Sequence, residues 1–301
     1  MKTSLTSLLF VLLGISALAQ TPVNFRLNLE KGNVYTVKTT SKQTMQQTVS
    51  GQQYAVDIYS NRVVSCKVLS QEQEVMEIVF TYDTIASKIS APMFTRETNS
   101  ANPGTEPLER IMNKMSTYPL KAKISTTGKF IGFTNYSMYK DNVLFVIDSL
   151  PASKKDEARK QADILLKESA LKSLIEPLFA YFPDKPVNTG DAWETSYLST
   201  SNDITTVVLN AYTLKGLENN QATIVGTSTM ETLPSKDPDA QITQELKGTS
   251  AFAGTLDLAT GLVVKSTENS HLEGEATVRN AGTVMKVQMK VDSQSEIIMF
   301  H

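Results

Sequence analysis

Period-two strand patterning constrains this chain more than any other feature. In "VYTVKTT" (34–40), "VVSCKVL" (63–69) and "VMEIVFTY" (75–82), β-branched and aromatic residues recur between polar turns such as "SGQQ" and "SQEQE". That is the pattern of antiparallel meander strands. Alternation puts Tyr35 and Val37 on one face and Thr36 and Lys38 on the other. A hairpin with Thr127-Gly128 at its turn follows, and residues 95–107, with two prolines and a glycine, read as an exposed loop.

The period changes after residue 136. Ala158, Ala162, Leu165, Leu166, Leu174, Ile175, Leu178 and Phe179 stand at helical spacing. Pro151, Ser153 and Asp156 mark a helix start, and Pro177 predicts a kink or a new helix near the end of the run. "MYKDNVLFVIDSL" predicts a shorter helix before it. Strands then resume at "WETSYLS" and continue to the carboxyl end. The fold class expected is α+β: mainly antiparallel β, as two related curved, half-barrel-like units of residues 20–135 and 184–301, with residues 136–183 as a helical insert between them.

The relation between the units rests on order. "KGNVYTV" is answered by "TGDAWET", "KVLSQEQEVMEIVF" by "KGLENNQATIVGTS", and "AKISTTGKFIGFTN" by "GTLDLATGLVVKSTEN". Any meander repeats turn chemistry, which is the competing explanation. Within this scheme Trp193 takes the place of Tyr35, as an inward aromatic.

Residues 1–19 carry Lys2, an apolar run from Leu8 to Ile15 and a small-residue site at Ala17-Leu18-Ala19, the pattern of a secretory signal peptide. An exported protein is expected, in the periplasm, associated with the outer envelope, or extracellular. No later run is apolar enough to predict a transmembrane anchor. Cys66 is the single cysteine, so the exported fold depends on core burial and not on an internal disulfide. The 29 basic and 31 acidic residues nearly cancel, which argues against a nucleic-acid partner.

"FAYFPDKPVNTGDAWETS", with "LNLEKGNVYTV" and "LDLATGLVVKS", resembles the exported domain of unknown function 6263 family, found largely in Bacteroidota. That resemblance implies a bacterial envelope setting and supplies no catalytic residues. A looser similarity, of fold only, is to LolA-like half-barrel lipoprotein carriers.

Motif chemistry is sparse. No HExxH, paired-cysteine, Gly-x-Ser-x-Gly or phosphate-loop pattern occurs, and no cofactor is expected. His271, Glu273 and Glu275 share a strand face and read as a solvated face before a metal site. Asp237 and Asp239 read as a polar turn before a calcium contact. Asp191 and Glu194 flank Trp193, yet glycoside hydrolysis needs two carboxylates at a defined distance. Cys66 reads as a buried small hydrophobe. The ligand-binding candidates are therefore aromatic: Trp193, Phe179, Phe182 and Tyr35, either lining a concave pocket or sealing a core. The functional expectation is non-enzymatic binding of lipid, another hydrophobic ligand or an envelope protein. A carboxylate-dependent hydrolase of envelope material or glycan, and a structural or adhesive module, are the alternatives.

Overall fold

The computed structural model describes residues 22–49, 51–102, 104–201, 204–235, 240–280 and 283–300. Residues 1–19, where a signal peptide is expected, and Asp237 and Asp239 lie outside them. The strands are β1 (Val34–Val49), β2 (Gln52–Glu72), β3 (Val75–Ala91), β4 (Phe94–Asn99), β5 (Leu120–Ser125), β6 (Phe130–Phe133), β7 (Ala192–Ser201), β8 (Ile204–Glu218), β9 (Gln221–Thr232), β10 (Ile242–Asp257), β11 (Val263–Asn280) and β12 (Thr283–Phe300). The helices are α1 (Pro107–Thr117), α2 (Tyr136–Leu144), α3 (Ala152–Leu165) and α4 (Glu168–Ile175).

All twelve strands belong to one curved antiparallel sheet, ordered β6-β5-β3-β2-β1-β12-β11-β10-β9-β8-β7, with β4 beside β3. The α+β class with a helical insert is the one expected. The two strand-rich halves are joined edge to edge, because β1 pairs with β12 from Thr36–Phe300 to Thr48–Gln288. Both halves descend in strand number in the same sense across the sheet. Their hairpins β1–β2, β3–β4, β7–β8, β9–β10 and β11–β12 turn at one end, and the helices gather at the other.

Alternation decides which side chains face inward. Tyr35 and Val37 of β1 lie opposite Cys66 and Val64 of β2, which lie opposite Phe80 and Tyr82 of β3. All six are buried. Tyr35, Val64, Cys66, Phe80 and Tyr82 form one core with Ile111 and Met115 of α1, Tyr139 of α2, Ala158 and Ala162 of α3, and Leu171 and Ile175 of α4. The extended segment before β1 runs beneath this core and buries Phe25, Leu27 and Leu29. Leu27 N–H donates to Thr126 O at 2.7 Å and Asn28 N–H to Thr260 O at 3.0 Å, so the segment bridges turns of both halves. Gly261 makes that possible: its φ is +76°, and a Cβ there would stand 2.1 Å from Arg26 O.

The outward face carries cross-strand pairs such as Lys265–Glu296 (3.1 Å) and Lys286–Glu275 (2.7 Å), exposed and worth little stability each. Helix α4 covers the edge strand β7, where Thr200 N–H donates to Ser173 Oγ at 2.6 Å. An uncovered edge would invite pairing with another chain.

Three local expectations are corrected. Residues 95–99 of the segment read as a loop belong to β4, which pairs with Ala86–Ala91. β5 occupies only Val75–Phe80 of the same β3 edge, and the free remainder templates β4 despite its polar sequence. Residues 107–117 form α1, with Pro107 in the first turn and Ile111, Met112 and Met115 buried. The long helical run breaks at Leu166, whose carbonyl accepts the Tyr136 hydroxyl at 2.9 Å, and α3 starts after Pro151 without a side-chain cap. As Pro177 predicts, α4 ends at Ile175 and a 3-10 turn follows.

Cys66 is buried, and burial pushes its thiol up to about 12. The native protein is therefore expected not to react with a thiol-specific disulfide reagent at pH 8, and to react fully in urea. Rapid labelling of the folded protein would contradict this placement.

Candidate ligand-binding face

The insert fills the concave face at the helical end. There the four aromatic candidates meet in one core. Trp193, at the start of β7, is 9% exposed and donates its indole N–H to Tyr181 O at 2.9 Å. Its ring lies 5.9 Å from Phe25 and 5.8 Å from Tyr212. Phe179 packs edge-on against Phe80 at 6.4 Å, and Phe182 lies tilted against Tyr181 at 4.6 Å. Tyr35 accepts the Glu30 N–H at 3.1 Å. The Tyr181 hydroxyl donates to Gly261 O at 2.9 Å. Together these contacts pin the end of the insert to both halves of the sheet.

A cavity of about 80 Å³ remains between insert and sheet, lined by Tyr35, Phe179, Tyr212, Phe252 and Glu268 among others. That is a few water volumes, too small for a lipid. Beside it runs a directed polar chain. Ser228 Oγ donates to Asn210 Oδ1 (2.6 Å), Asn210 Nδ2 to Thr195 Oγ1 (3.1 Å), and Thr195 Oγ1 to Ala180 O (2.7 Å). Glu268 accepts the Ser250 hydroxyl at 2.6 Å. Burial, with the nearby Glu268 carboxylate, holds the phenols of Tyr197 and Tyr212 well above their ordinary range.

A more open cleft of about 760 Å³ lies between the β5–β6 turn and β7–β9, lined by Phe130, Phe179, Phe182, Glu176 and Glu194 among others. Phe179 lines both spaces. The carboxylates here are mostly engaged or solvated. Glu176 is ion-paired with Lys172 at 3.2 Å, Asp184 bridges Lys129 at 3.1 Å, and Glu194 is exposed. Asp191 accepts the Asn188 N–H at 2.8 Å, which makes it the turn residue ahead of β7. No pair of buried acids faces this cleft among the described residues.

Beyond the insert the inward face of the sheet continues as a strip of short polar side chains, the trough. Its floor is the inward register of β1, β2, β11 and β12: Thr39, Ser41, Ser60, Ser270, Ser293 and Ser295, all half-buried. Toward the hairpin tips the same register turns apolar. Leu246, Ala276, Val287, Met289 and Val291 are buried together, with Met45, Val49, Leu272 and Val278 packed against them. Every member belongs to a strand, so this cluster is closed by the curl of the sheet and by no helix. At the same end, Met93 is 95% exposed, Val284 62%, Phe94 57% and Ile242 52%.

Two inward-facing charges went unnoticed in the sequence, Arg62 of β2 and Glu268 of β11. The signal was their parity: Arg62 is two residues from Val64, and Glu268 two from Ser266, both buried and inward. The histidine trio faces outward. His271 Nδ1 lies 2.7 Å from Asp292 and Glu275 pairs with Lys286, so neighbouring strands already engage two of the three.

No described helix is long and apolar enough to cross a membrane, which says nothing of membrane-crossing strands. No curated protein matches the chain. Among solved structures, a lipovitellin structure titled for its lipid-protein interactions is 8% identical with a TM-score of 0.49; the match covers 91% of this chain and 26% of that one. The outer membrane protein OprG from Pseudomonas aeruginosa is 6% identical with a TM-score of 0.27, over 90% and 98% of the two chains. Neisserial surface protein A is 5% identical with a TM-score of 0.21, over 89% and 99%. Likenesses this distant carry no argument about ligand or membrane. Residues 73–263, from the β2–β3 turn to the first residue of β11, match one family over more than half of the sequence, and the chain belongs to that family of unknown function, DUF6263.

Proposed function

We propose that this is an exported cell-envelope protein that binds a hydrophobic ligand, without catalysing a reaction on it, in the open half of its concave face. The observation that carries this reading is the trough itself. A half-buried floor leads into an apolar cluster that only strands enclose. Apolar side chains held together by the curl of a sheet can part around a guest and keep their backbone pairing, whereas a helix-covered core cannot. The exposed Met93, Phe94, Ile242 and Val284 at the same end give an apolar ligand a place to enter. Tyr35, Phe179, Phe182 and Trp193 take the part of a stopper in this reading, sealing the opposite end.

Titration with the neutral fluorophore N-phenyl-1-naphthylamine tests it. Saturable enhancement near one probe per protein is expected, and Ser293→Phe, which places a ring on the trough floor, should weaken binding by about tenfold or more. No saturable binding, or binding that Ser293→Phe leaves untouched while circular dichroism shows a folded variant, overturns the reading. Loss of the probe on Glu176→Gln instead would move the site to the cleft beside the insert.

A further inference from the structure

Arg62 is out of keeping with its surroundings. It pairs with Thr39 of β1 and Ile85 of β3, on the inward register shared with Ser60 and Val64. The side chain is half-buried and makes no hydrogen bond or ion pair with any described residue. Lysines on the outward face, by contrast, find carboxylates on the next strand. Glu268, the other inward charge, is three strands away across β1 and β12, on the order of 14 Å along the sheet. It is already bonded to Ser250. Burial pushes the guanidinium below its ordinary pKa, with Tyr82 the ionisable group acting on it. It stays a cation at neutral pH all the same.

Tyr82 supplies the second observation. It lies opposite Val64 and so diagonally beside Arg62 on the same face. The side chain is fully buried, and its hydroxyl has no hydrogen-bond partner. Buried polar groups are almost always satisfied, and a charge withdrawn from water without a partner is costly. Two neighbouring donors without acceptors are what a site for an anion looks like before the anion arrives. From Thr39, beside Arg62, to Met45, in the apolar cluster, is six residues of β1 or about 20 Å, the reach of a long acyl chain.

Building on the trough reading above, we propose that Arg62, with the Tyr82 hydroxyl beside it, anchors the anionic head group of an amphiphile, a carboxylate or phosphate, whose tail runs along the trough toward Met45 and Val291. The guanidinium fork takes two oxygens of such a group at once. The serine-lined floor accommodates the chain between head and apolar end.

Competition against bound N-phenyl-1-naphthylamine in the mature chain tests this. The competitors are oleate, oleyl alcohol with a similar tail and no charge, and acetate and inorganic phosphate, which have charge and no tail. Oleate is expected to displace the probe at concentrations about tenfold or more below oleyl alcohol, and acetate and phosphate not at all at millimolar levels. Arg62→Met keeps the packing of the stem and should abolish the preference for oleate, read as the ratio of oleate to oleyl alcohol needed for displacement, and Tyr82→Phe should narrow it. Arg62→Lys should keep part of it, and serves as the test if Arg62→Met does not fold. Equal displacement by oleate and oleyl alcohol in the native protein, or an undiminished preference in Arg62→Met, overturns the head-group site and leaves the trough standing. Displacement by phosphate or acetate alone assigns Arg62 to a small free anion and overturns the amphiphile. If the native protein binds neither probe nor oleate, the trough reading itself fails and the head-group site goes with it.

Discussion

Replacing Trp193 with alanine lowers the folding stability by about 3–5 kcal/mol, the range for emptying a large aromatic site in a packed core. The indole is wedged between Phe25, from the segment before β1, and Tyr212 of β8, and it donates to Tyr181 O at the end of the insert. Its removal therefore loosens three parts of the chain together. Trp193→Phe should cost less than half as much, since a ring still fills the space and only the bond to Tyr181 O is lost, at about 1 kcal/mol. Urea denaturation followed by circular dichroism measures both. A loss below about 1 kcal/mol for the alanine variant would mean that the indole is not a strut. Probe binding in the trough should survive in either variant, because Trp193 lies at the opposite end.

Alkali is expected to unfold the protein in one steep step. Tyr82, Tyr139, Tyr181, Tyr197 and Tyr212 are all held above their ordinary pKa, with burial the first cause in each, and Cys66 is held at about 12. The direction of the effect follows from linkage. Below the unfolded-chain values of about 8.5 for the thiol and 10 for the phenols, both states keep these protons and stability is unaffected. Above them the unfolded chain ionises while the folded chain does not, and each group then removes about 1.4 kcal/mol of stability per pH unit. Acting together, these groups can overcome a stability of about 5–15 kcal/mol within one or two pH units. Tyrosinate absorbance from the buried phenols should thus rise together with loss of the far-ultraviolet signal, between about pH 10 and 12. Gradual ionisation of all the tyrosines in a chain that stays folded would show that the core phenols are reached by water.

What could be read in advance was local. Tyr35 and Val37 alternate inward as their spacing requires, at 1% and 7% exposure. The Thr-Gly pairs end in glycines with φ of +75°, +95° and +76° at Gly128, Gly190 and Gly261, because each turn needs a backbone that only glycine adopts freely. What stayed hidden depends on partners distant in sequence. β4 exists because β5 leaves part of β3 unpaired, and nothing within residues 94–99 says so. The pairing of β1 with β12 is of the same kind. For the candidate site, the aromatic residues were legible as inward-facing, lining a pocket or sealing a core; which partners close that end was not, since the packing comes from Phe25, Tyr181 and Tyr212 together. Arg62 was legible in principle: a charge in step with Val64 and Cys66 breaks the inward register, and alternation alone exposes it.

The seam between β1 and β12 also governs how the molecule is assembled. Residues 36 and 300 lie side by side in the middle of the sheet, so synthesis from the amino end leaves the first meander with a bare flank until residues 283–300 have appeared. Ribosome-tethered intermediates must therefore either wait without a finished sheet or be shielded from pairing with their neighbours. Clipping off the final strand would open that flank in the middle of the molecule and not at its rim, turning one continuous surface into two sticky ones.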